Sequence, residues 1–154
     1  MIKRIKNNHS AISGAEIGND GIYIRGLAPI FSSTDNEKYL GSVEVLLPLI
    51  EVIKTSKLNE KEDFGLYLNK EKIKKTSMLR LKSKNKLLNK MGNFSFIART
   101  SKNYKSQFID STILKKAMKE GFYILEKSNF KIAAIPIKDF EKNEIGNYKL
   151  QFTV

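Results

Sequence analysis

The alternation of apolar and polar positions predicts a hairpin near the start of the chain. Residues 18–21 read Gly-Asn-Asp-Gly, and these residue types tolerate the positive φ that a tight reversal needs. In the run that follows, Ile22 and Ile24 fall on one face of a strand, and Tyr23 and Arg25 fall on the other. This two-residue period is typical of a strand with one face turned towards a core.

A second hairpin is predicted directly after the first. The polar residues 32–38 reverse the chain, and residues 39–46 return as a strand in which Val43 and Val45 face opposite to Glu44. Pro48 then fits the first turn of a helix. Residues 13–52 therefore predict two hairpins that lead into a helix.

Helical spacing is found in two places. Apolar residues between positions 46 and 53 predict an amphipathic helix from about residue 48 to residue 58. A later helix is predicted to begin at Asp110 or Ser111, which can cap it, and to end at Gly121. Further strands are predicted at residues 64–68, 93–100, 122–126, 130–137 and 145–153.

These elements predict an α+β fold, in which an antiparallel sheet is flanked by two or three helices. A parallel sheet would need a crossover helix for each pair of strands, and the pattern contains too few helices for that. No linker-like Gly/Ser tract interrupts the 154 residues, so a single domain over residues 1–154 is expected.

Five short segments carry a family resemblance. Three lie in the first hairpins: Gly-Ala-Glu-Ile-Gly at 14–18, Ile-Arg-Gly-Leu-Ala-Pro-Ile at 24–30 and Leu-Gly-Ser-Val-Glu at 40–44. Two lie near the C-terminus: Ile-Ala-Ala-Ile-Pro-Ile-Lys-Asp-Phe at 132–140 and Glu-Ile-Gly at 144–146. In this order they resemble the sensory Cache domains, relatives of the PAS fold that lie outside the membrane in bacterial chemoreceptors and sensor histidine kinases.

The resemblance implies a PAS/Cache-like sheet and a role in signal transduction. The chain is then expected to be the ligand-sensing domain of a bacterial transmembrane receptor, a chemoreceptor or a histidine kinase, which binds a small molecule without catalysis. Its implied location is the periplasmic side of the inner membrane, and its implied partner is a second copy of the receptor in a homodimer.

The family pattern also predicts segments that this sequence lacks. Family members normally begin with a transmembrane helix and a long extracellular helix, and they end in a second transmembrane helix. Here Met1 falls shortly before the first predicted strand and Val154 falls at the last one, so we expect a fragment without these segments. The basic residues 1–6 are followed by Asn-Asn-His-Ser instead of an apolar stretch, so no export signal is expected in this chain.

The predicted ligand-binding residues are Arg25, Tyr23, Glu16 and Glu44. Glu16 falls on the same face as Tyr23 and Arg25 whether the hairpin closes on residues 19–20 or on residues 20–21. Arg25 could hold a ligand carboxylate in a bidentate contact, with a hydroxyl from Tyr23, and Glu44 could orient the pocket. The alternative is that Glu16 and Arg25 form a cross-strand ion pair on the sheet surface, with Glu44 exposed.

The net charge of +12 supports a second functional hypothesis. Nine Lys or Arg residues lie between Lys70 and Lys90, against the single acid Glu71, and such a patch can bind nucleic acid by neutralising phosphates. The segment has no aromatic residue to stack on bases, so we interpret it mainly as a solvated face. Nucleic-acid binding through this segment stays the alternative function.

Catalytic and cofactor-binding motifs are missing from the sequence. The chain has no cysteine, and His9 is its only histidine, which leaves no usual zinc site and no nucleophilic triad. It also lacks the Gly-rich loops that bind nucleotide phosphates. We therefore expect no catalytic residue, no metal ion and no cofactor.

Overall fold

The computed structural model describes residues 2–18, 21–35, 38–75, 92–102, 110–127 and 129–153. In chain order its elements are α1 (Ile2–Asn8), β1 (Ile12–Ile17), β2 (Ile22–Phe31), β3 (Tyr39–Pro48), α2 (Leu49–Thr55), β4 (Glu62–Asn69), α3 (Lys70–Lys75), β5 (Phe94–Arg99), α4 (Ser111–Glu120), β6 (Tyr123–Lys127), β7 (Phe130–Lys138) and β8 (Glu144–Thr153). Most of the predicted basic segment, residues 76–90, lies outside the described residues.

The strands form two antiparallel sheets. β1, β2 and β3 form a three-stranded sheet in that order, and the second sheet has the order β5-β4-β8-β7-β6. Numbered in chain order within the second sheet, the strands lie 2-1-5-4-3, which is consistent with a PAS/Cache-like sheet. The predicted α+β class with antiparallel strands is confirmed. The strands are divided between two sheets, however, and the described residues form four short helices where two or three were predicted.

The first hairpin has one of its two predicted registers. Glu16 lies opposite Tyr23, and Ile17 lies opposite Ile22, so residues 18 and 21 face each other where the chain reverses. The backbone N–H of Gly18 donates to the carbonyl oxygen of residue 21 across this turn, at 2.8 Å. The predicted alternation along β2 is also observed, because Ile22 is buried in the core while Tyr23 lies on the opposite face.

The main core lies between the two sheets and α2. Sequence residues 64–68, Phe-Gly-Leu-Tyr-Leu, are all buried, because β4 is an inner strand that is covered on both faces. The even positions of β4 point into this core, together with apolar residues of β1, β2 and α2. Its buried members are Ala15, Ile22, Leu49, Ile53, Phe64, Leu66, Leu68, Ile137 and Ile145.

Helix α4 covers the opposite face of the five-stranded sheet. Of the two predicted caps, Asp110 is the one used: its Oδ1 accepts the backbone N–H of Thr112 at 2.7 Å and of Ile113 at 3.0 Å. Gly121 ends the helix as predicted, at φ 85°. The buried residues of this second core are Tyr67, Phe94, Ile113, Leu114, Ala117 and Ala134.

Strands β4 and β8 approach each other closely at Gly146. A Cβ atom placed there would lie 2.2 Å from the carbonyl oxygen of Tyr67 and 3.0 Å from the Cα atom of Leu68. These are backbone atoms of a buried strand, so they cannot move aside as the end of a flexible side chain can. Gly146 belongs to one of the segments that carry the family resemblance, and close packing gives it a physical role.

We predict that Gly146→Ala lowers the free energy of unfolding by about 3 kcal/mol, because the added methyl group forces β4 and β8 apart. Urea unfolding followed by circular dichroism measures this change. The matched control is Gly41→Ala, since a Cβ atom at position 41 meets no atom within 4 Å. The control should stay within about 0.5 kcal/mol of the wild type. Equal losses in the two variants would contradict the packing explanation.

Candidate functional site

Three of the four predicted site residues form a cluster on the three-stranded sheet. Arg25 on the middle strand donates from Nη1 to Glu16 Oε2 at 2.5 Å, and from Nε to Glu44 Oε1. The strand pairing explains this geometry. Glu16 lies opposite Tyr23, and Glu44 lies opposite Leu27, so both acids are diagonal neighbours of Arg25 on one face.

Arg25 is therefore held by two carboxylates, and the cluster carries a net charge of −1. The hydrogen bond that Arg25 donates to Glu44 raises the pKa of Arg25 above its usual value, so the guanidinium stays cationic, although burial opposes this shift. The cross-strand ion pair between Glu16 and Arg25, the structural alternative to ligand binding, is confirmed. A ligand carboxylate would have to compete with these two acids. Ligand binding by Arg25 stays a prediction.

Tyr23 lies on the same face but beside the cluster. Its ring packs over the start of the turn, where a Cβ atom on Gly18 would lie 3.0 Å from the ring edge. A side chain at residue 18 would therefore require the Tyr23 ring to shift.

An open groove of about 300 Å³ lies elsewhere on the three-stranded sheet. It is lined mainly by small and aliphatic residues of the three strands, among them Gly26, Ala28, Val43 and Val45. None of the four predicted site residues lines this groove. None of the described residues that line the groove carries a charge that could orient a polar ligand.

The polar site that the sequence did not reveal lies on β8. Asn147 and Lys149 are fully buried and Gln151 is 6% exposed, although all three side chains are polar. The Lys149 ammonium Nζ donates to Gln151 Oε1 at 3.3 Å, and Asn147 Nδ2 donates to the Leu114 carbonyl oxygen of α4 at 3.5 Å. Asn147 Oδ1 is buried and accepts no hydrogen bond within the described part of the chain. We call Asn147, Lys149 and Gln151 the polar row.

The residues beside Lys149 are unusually small. Lys149 pairs with Gly65 on β4 and with Ala134 on β7, whereas Asn147 has the large Tyr67 beside it on β4. Neither Gly65 nor Ala134 extends far above the sheet.

Burial changes the acid–base behaviour of Lys149. Loss of hydration lowers the pKa of Lys149 to about 7, because a low-dielectric surrounding disfavours the charged ammonium. A group of this kind at the centre of a fold is a functional-site candidate, since desolvated titratable groups cluster at such sites. The lysine can change charge near neutral pH.

Residues 145–153 were predicted to be a strand, but the role of its polar face was missed. Alternating polar residues look the same in a strand with one solvated face, and that is the ordinary interpretation. The burial follows from the position of β8 between β4 and β7 and from the helix above it. No local signal in the sequence could have shown it.

The other predicted features of the site are placed as follows. His9 is exposed, and its ring lies 4.2 Å from the ring of Phe31, centroid to centroid. Within the described ranges, no group of three His, Asp or Glu side chains is arranged to hold a metal ion. None of the described helices is long and apolar enough to cross a membrane.

Comparison with known proteins does not assign the chain to a family. No family model matches it, and no curated protein matches it. The function has to be inferred from the fold and from the two clusters described above.

We predict a coupling free energy of about 0.5–1 kcal/mol between Arg25 and Glu44, because the pair is partly exposed and screened by water. Urea unfolding of Arg25→Met, Glu44→Gln and the double variant measures it in a double-mutant cycle. The control cycle uses Lys131→Met and Glu126→Gln, a pair 52% and 63% exposed, for which a smaller coupling is expected. Additive effects of the Arg25 and Glu44 substitutions would contradict the ion-pair assignment.

We predict that Lys149→Met is more stable than the wild type at pH 6, and that this margin shrinks between pH 7 and pH 10. Below pH 7 the folded wild type holds Lys149 as a buried, charged ammonium. Between pH 7 and pH 10, Lys149 loses its proton in the folded state but keeps it in the unfolded state. The free energy of unfolding of the wild type therefore rises with pH in this range. Unfolding free energies measured across this range test it. Lys131→Met, at an exposed lysine, should show no such trend. A stability difference between Lys149→Met and the wild type that does not change with pH would contradict the lowered pKa of Lys149.

Proposed function

We propose that this chain is the ligand-sensing domain of a bacterial transmembrane signalling receptor, a chemoreceptor or a histidine kinase, and that it binds a small molecule without transforming it. The observation that carries the proposal is the polar row Asn147, Lys149 and Gln151, buried between α4 and the centre of a PAS/Cache-like sheet. The segments that resemble Cache domains support the same class of protein.

A buried polar row is costly in a core that serves only stability. An amide or an ammonium removed from water costs free energy unless hydrogen bonds or an opposite charge compensate for it. Small-molecule sites have this composition, since they are mostly apolar with a few convergent polar groups. Here the apolar part is supplied by residues such as Leu114, Ala117 and Ala134.

A ligand at this position would contact both the sheet and α4. Its binding would favour the arrangement of helix and sheet that fits it best, which shifts a conformational equilibrium without any chemical step. The signal then depends on the difference between the ligand's affinities for two conformational states of the domain. This is the behaviour required of a sensory domain.

We predict that a broad library of small anionic, neutral and cationic compounds contains at least one that stabilises the folded chain. A ligand at about 100 times its Kd adds about 2.7 kcal/mol to the free energy of unfolding, which raises Tm by about 5–10 °C in a chain of this size. Differential scanning fluorimetry measures the shift.

Arg25→Met, tested beside the wild type, separates the two candidate sites. Loss of the shift would assign the ligand to Arg25 and its neighbours, whereas an unchanged shift would favour the polar row. A folded chain that binds no compound of the library would contradict the sensory function.

A further inference from the structure

Strand β3 is an unprotected edge of the three-stranded sheet. It pairs with β2 on one side, and no described strand pairs with its other side. Residues 42–48 are all exposed, and no lysine or arginine occurs between Tyr39 and Pro48. Natural proteins usually protect such edges with lysine, with proline inside the strand or with a covering segment. β3 is irregular only at its start, beside Gly41, so the rest of the strand can accept another strand.

Exposed apolar side chains are concentrated on and beside this edge. Among the described residues, nine large hydrophobic side chains are exposed, and six of them lie on β2 or β3: Ile30, Leu40, Val43, Val45, Leu46 and Leu47. The only charged residue of β3 is Glu44, and its carboxylate already accepts from Arg25 Nε. Exposed apolar patches of this kind mark interaction surfaces.

We propose that β3 pairs antiparallel with β3 of a second copy of this chain, with Val45 on the two-fold axis. The two three-stranded sheets then form one continuous sheet. An identical strand suits this edge, because a two-fold axis perpendicular to the sheet places equivalent faces on the same side. β3 belongs to a different sheet from the polar row, so this interface is independent of the ligand site proposed above.

The side chains of β3 favour this register over its neighbours. With the axis at Val45, Val45 lies opposite its own copy, and Val43 lies opposite Leu47 of the second copy. Such cross-strand aliphatic pairs stabilise a sheet. An axis at Glu44 would place two carboxylates directly opposite each other, which is destabilising. An axis at Val43 would oppose Val45 with Gly41 and would draw the irregular start of β3 into the pairing.

The charge distribution directs a second copy to this edge. The chain carries a net charge of +12, so two copies repel each other as a whole. Glu16, Arg25 and Glu44 together carry −1, and they lie on the three-stranded sheet. A locally negative cluster is attracted to the positive charge of the second copy. The edge formed by β3 is therefore a surface on which self-repulsion is reduced.

Strand pairing of this extent gives a weak dimer. A standard stable interface removes about 800 Å² from each partner, and one pair of edge strands buries less than that. We therefore expect association in the micromolar range. Added salt should strengthen it, because salt screens the repulsion between two chains of charge +12 and leaves the apolar contacts in place.

Sedimentation velocity of the full chain from about 5 μM to about 500 μM measures this association. We expect a monomer at the lowest concentration and a dimer at the highest. The Kd should fall about threefold or more when NaCl is raised from about 0.05 M to about 0.5 M.

A charged substitution on the proposed axis separates this edge from other surfaces. Val45 is 55% exposed, so Val45→Lys should keep the fold, which circular dichroism checks. It places two lysines directly opposite each other and should weaken the dimer about tenfold or more. Leu58→Lys adds the same charge away from β3, at a residue 88% exposed, and should associate like the wild type.

Single cysteines test the register, because the chain has no cysteine of its own. Residues directly opposite in an antiparallel pair have Cα atoms about 4.5–5.5 Å apart, a distance that a disulfide can span. Val45→Cys should therefore form a disulfide-linked dimer under mild oxidation. Val43→Cys, away from the axis, and Leu58→Cys, outside β3, should form little.

Three outcomes would overturn the proposed interface. They are a chain that stays monomeric over the whole concentration range, association that is unchanged in Val45→Lys, and a Kd that rises with added salt. Cross-linking of Val43→Cys in preference to Val45→Cys would overturn the register. None of these outcomes bears on ligand binding at the polar row, so the sensory function is tested separately.

Discussion

The central position of β8 is the constraint on which the rest of the structure depends. This strand pairs with β4 at one edge and with β7 at the other, and its two faces are covered by the core between the sheets and by α4. Tyr148 and Leu150 turn towards the core between the sheets, while Asn147 and Lys149 turn towards α4. Gly146 permits the close approach to β4 that holds this arrangement.

Polar residues at the centre of the sheet reduce the stability that an apolar core would provide. An ammonium at position 149 loses its hydration, and the amide oxygen of Asn147 gains no hydrogen bond from the described residues. Local rules of folding are broken in natural proteins mainly at functional or strained sites. The polar row is such a violation, and it is the physical reason for the proposal that a ligand is recognised beneath α4.

The Arg25 cluster stabilises a different part of the molecule. One face of the three-stranded sheet is only partly covered, since the aliphatic residues Val43 and Val45 of β3 are about half exposed. Arg25 links the middle strand to both neighbours through Glu16 and Glu44, so the cluster connects all three strands. The paired charges explain this face of the sheet without a ligand, whereas Asn147 Oδ1 of the polar row accepts no hydrogen bond from the described residues.

The sequence by itself determined features that depend on neighbouring residues: the alternation along β2, the start of α4 at Asp110 or Ser111, its end at Gly121 and the shared face of Glu16 and Arg25. It did not determine how the strands divide between two sheets, or that Lys149 is buried. Alternating polar residues are compatible with a solvated face, and only the tertiary structure, by placing β4, β7 and α4 around β8, removes that face from water. These contacts join residues far apart in the chain, where periodicity carries no information.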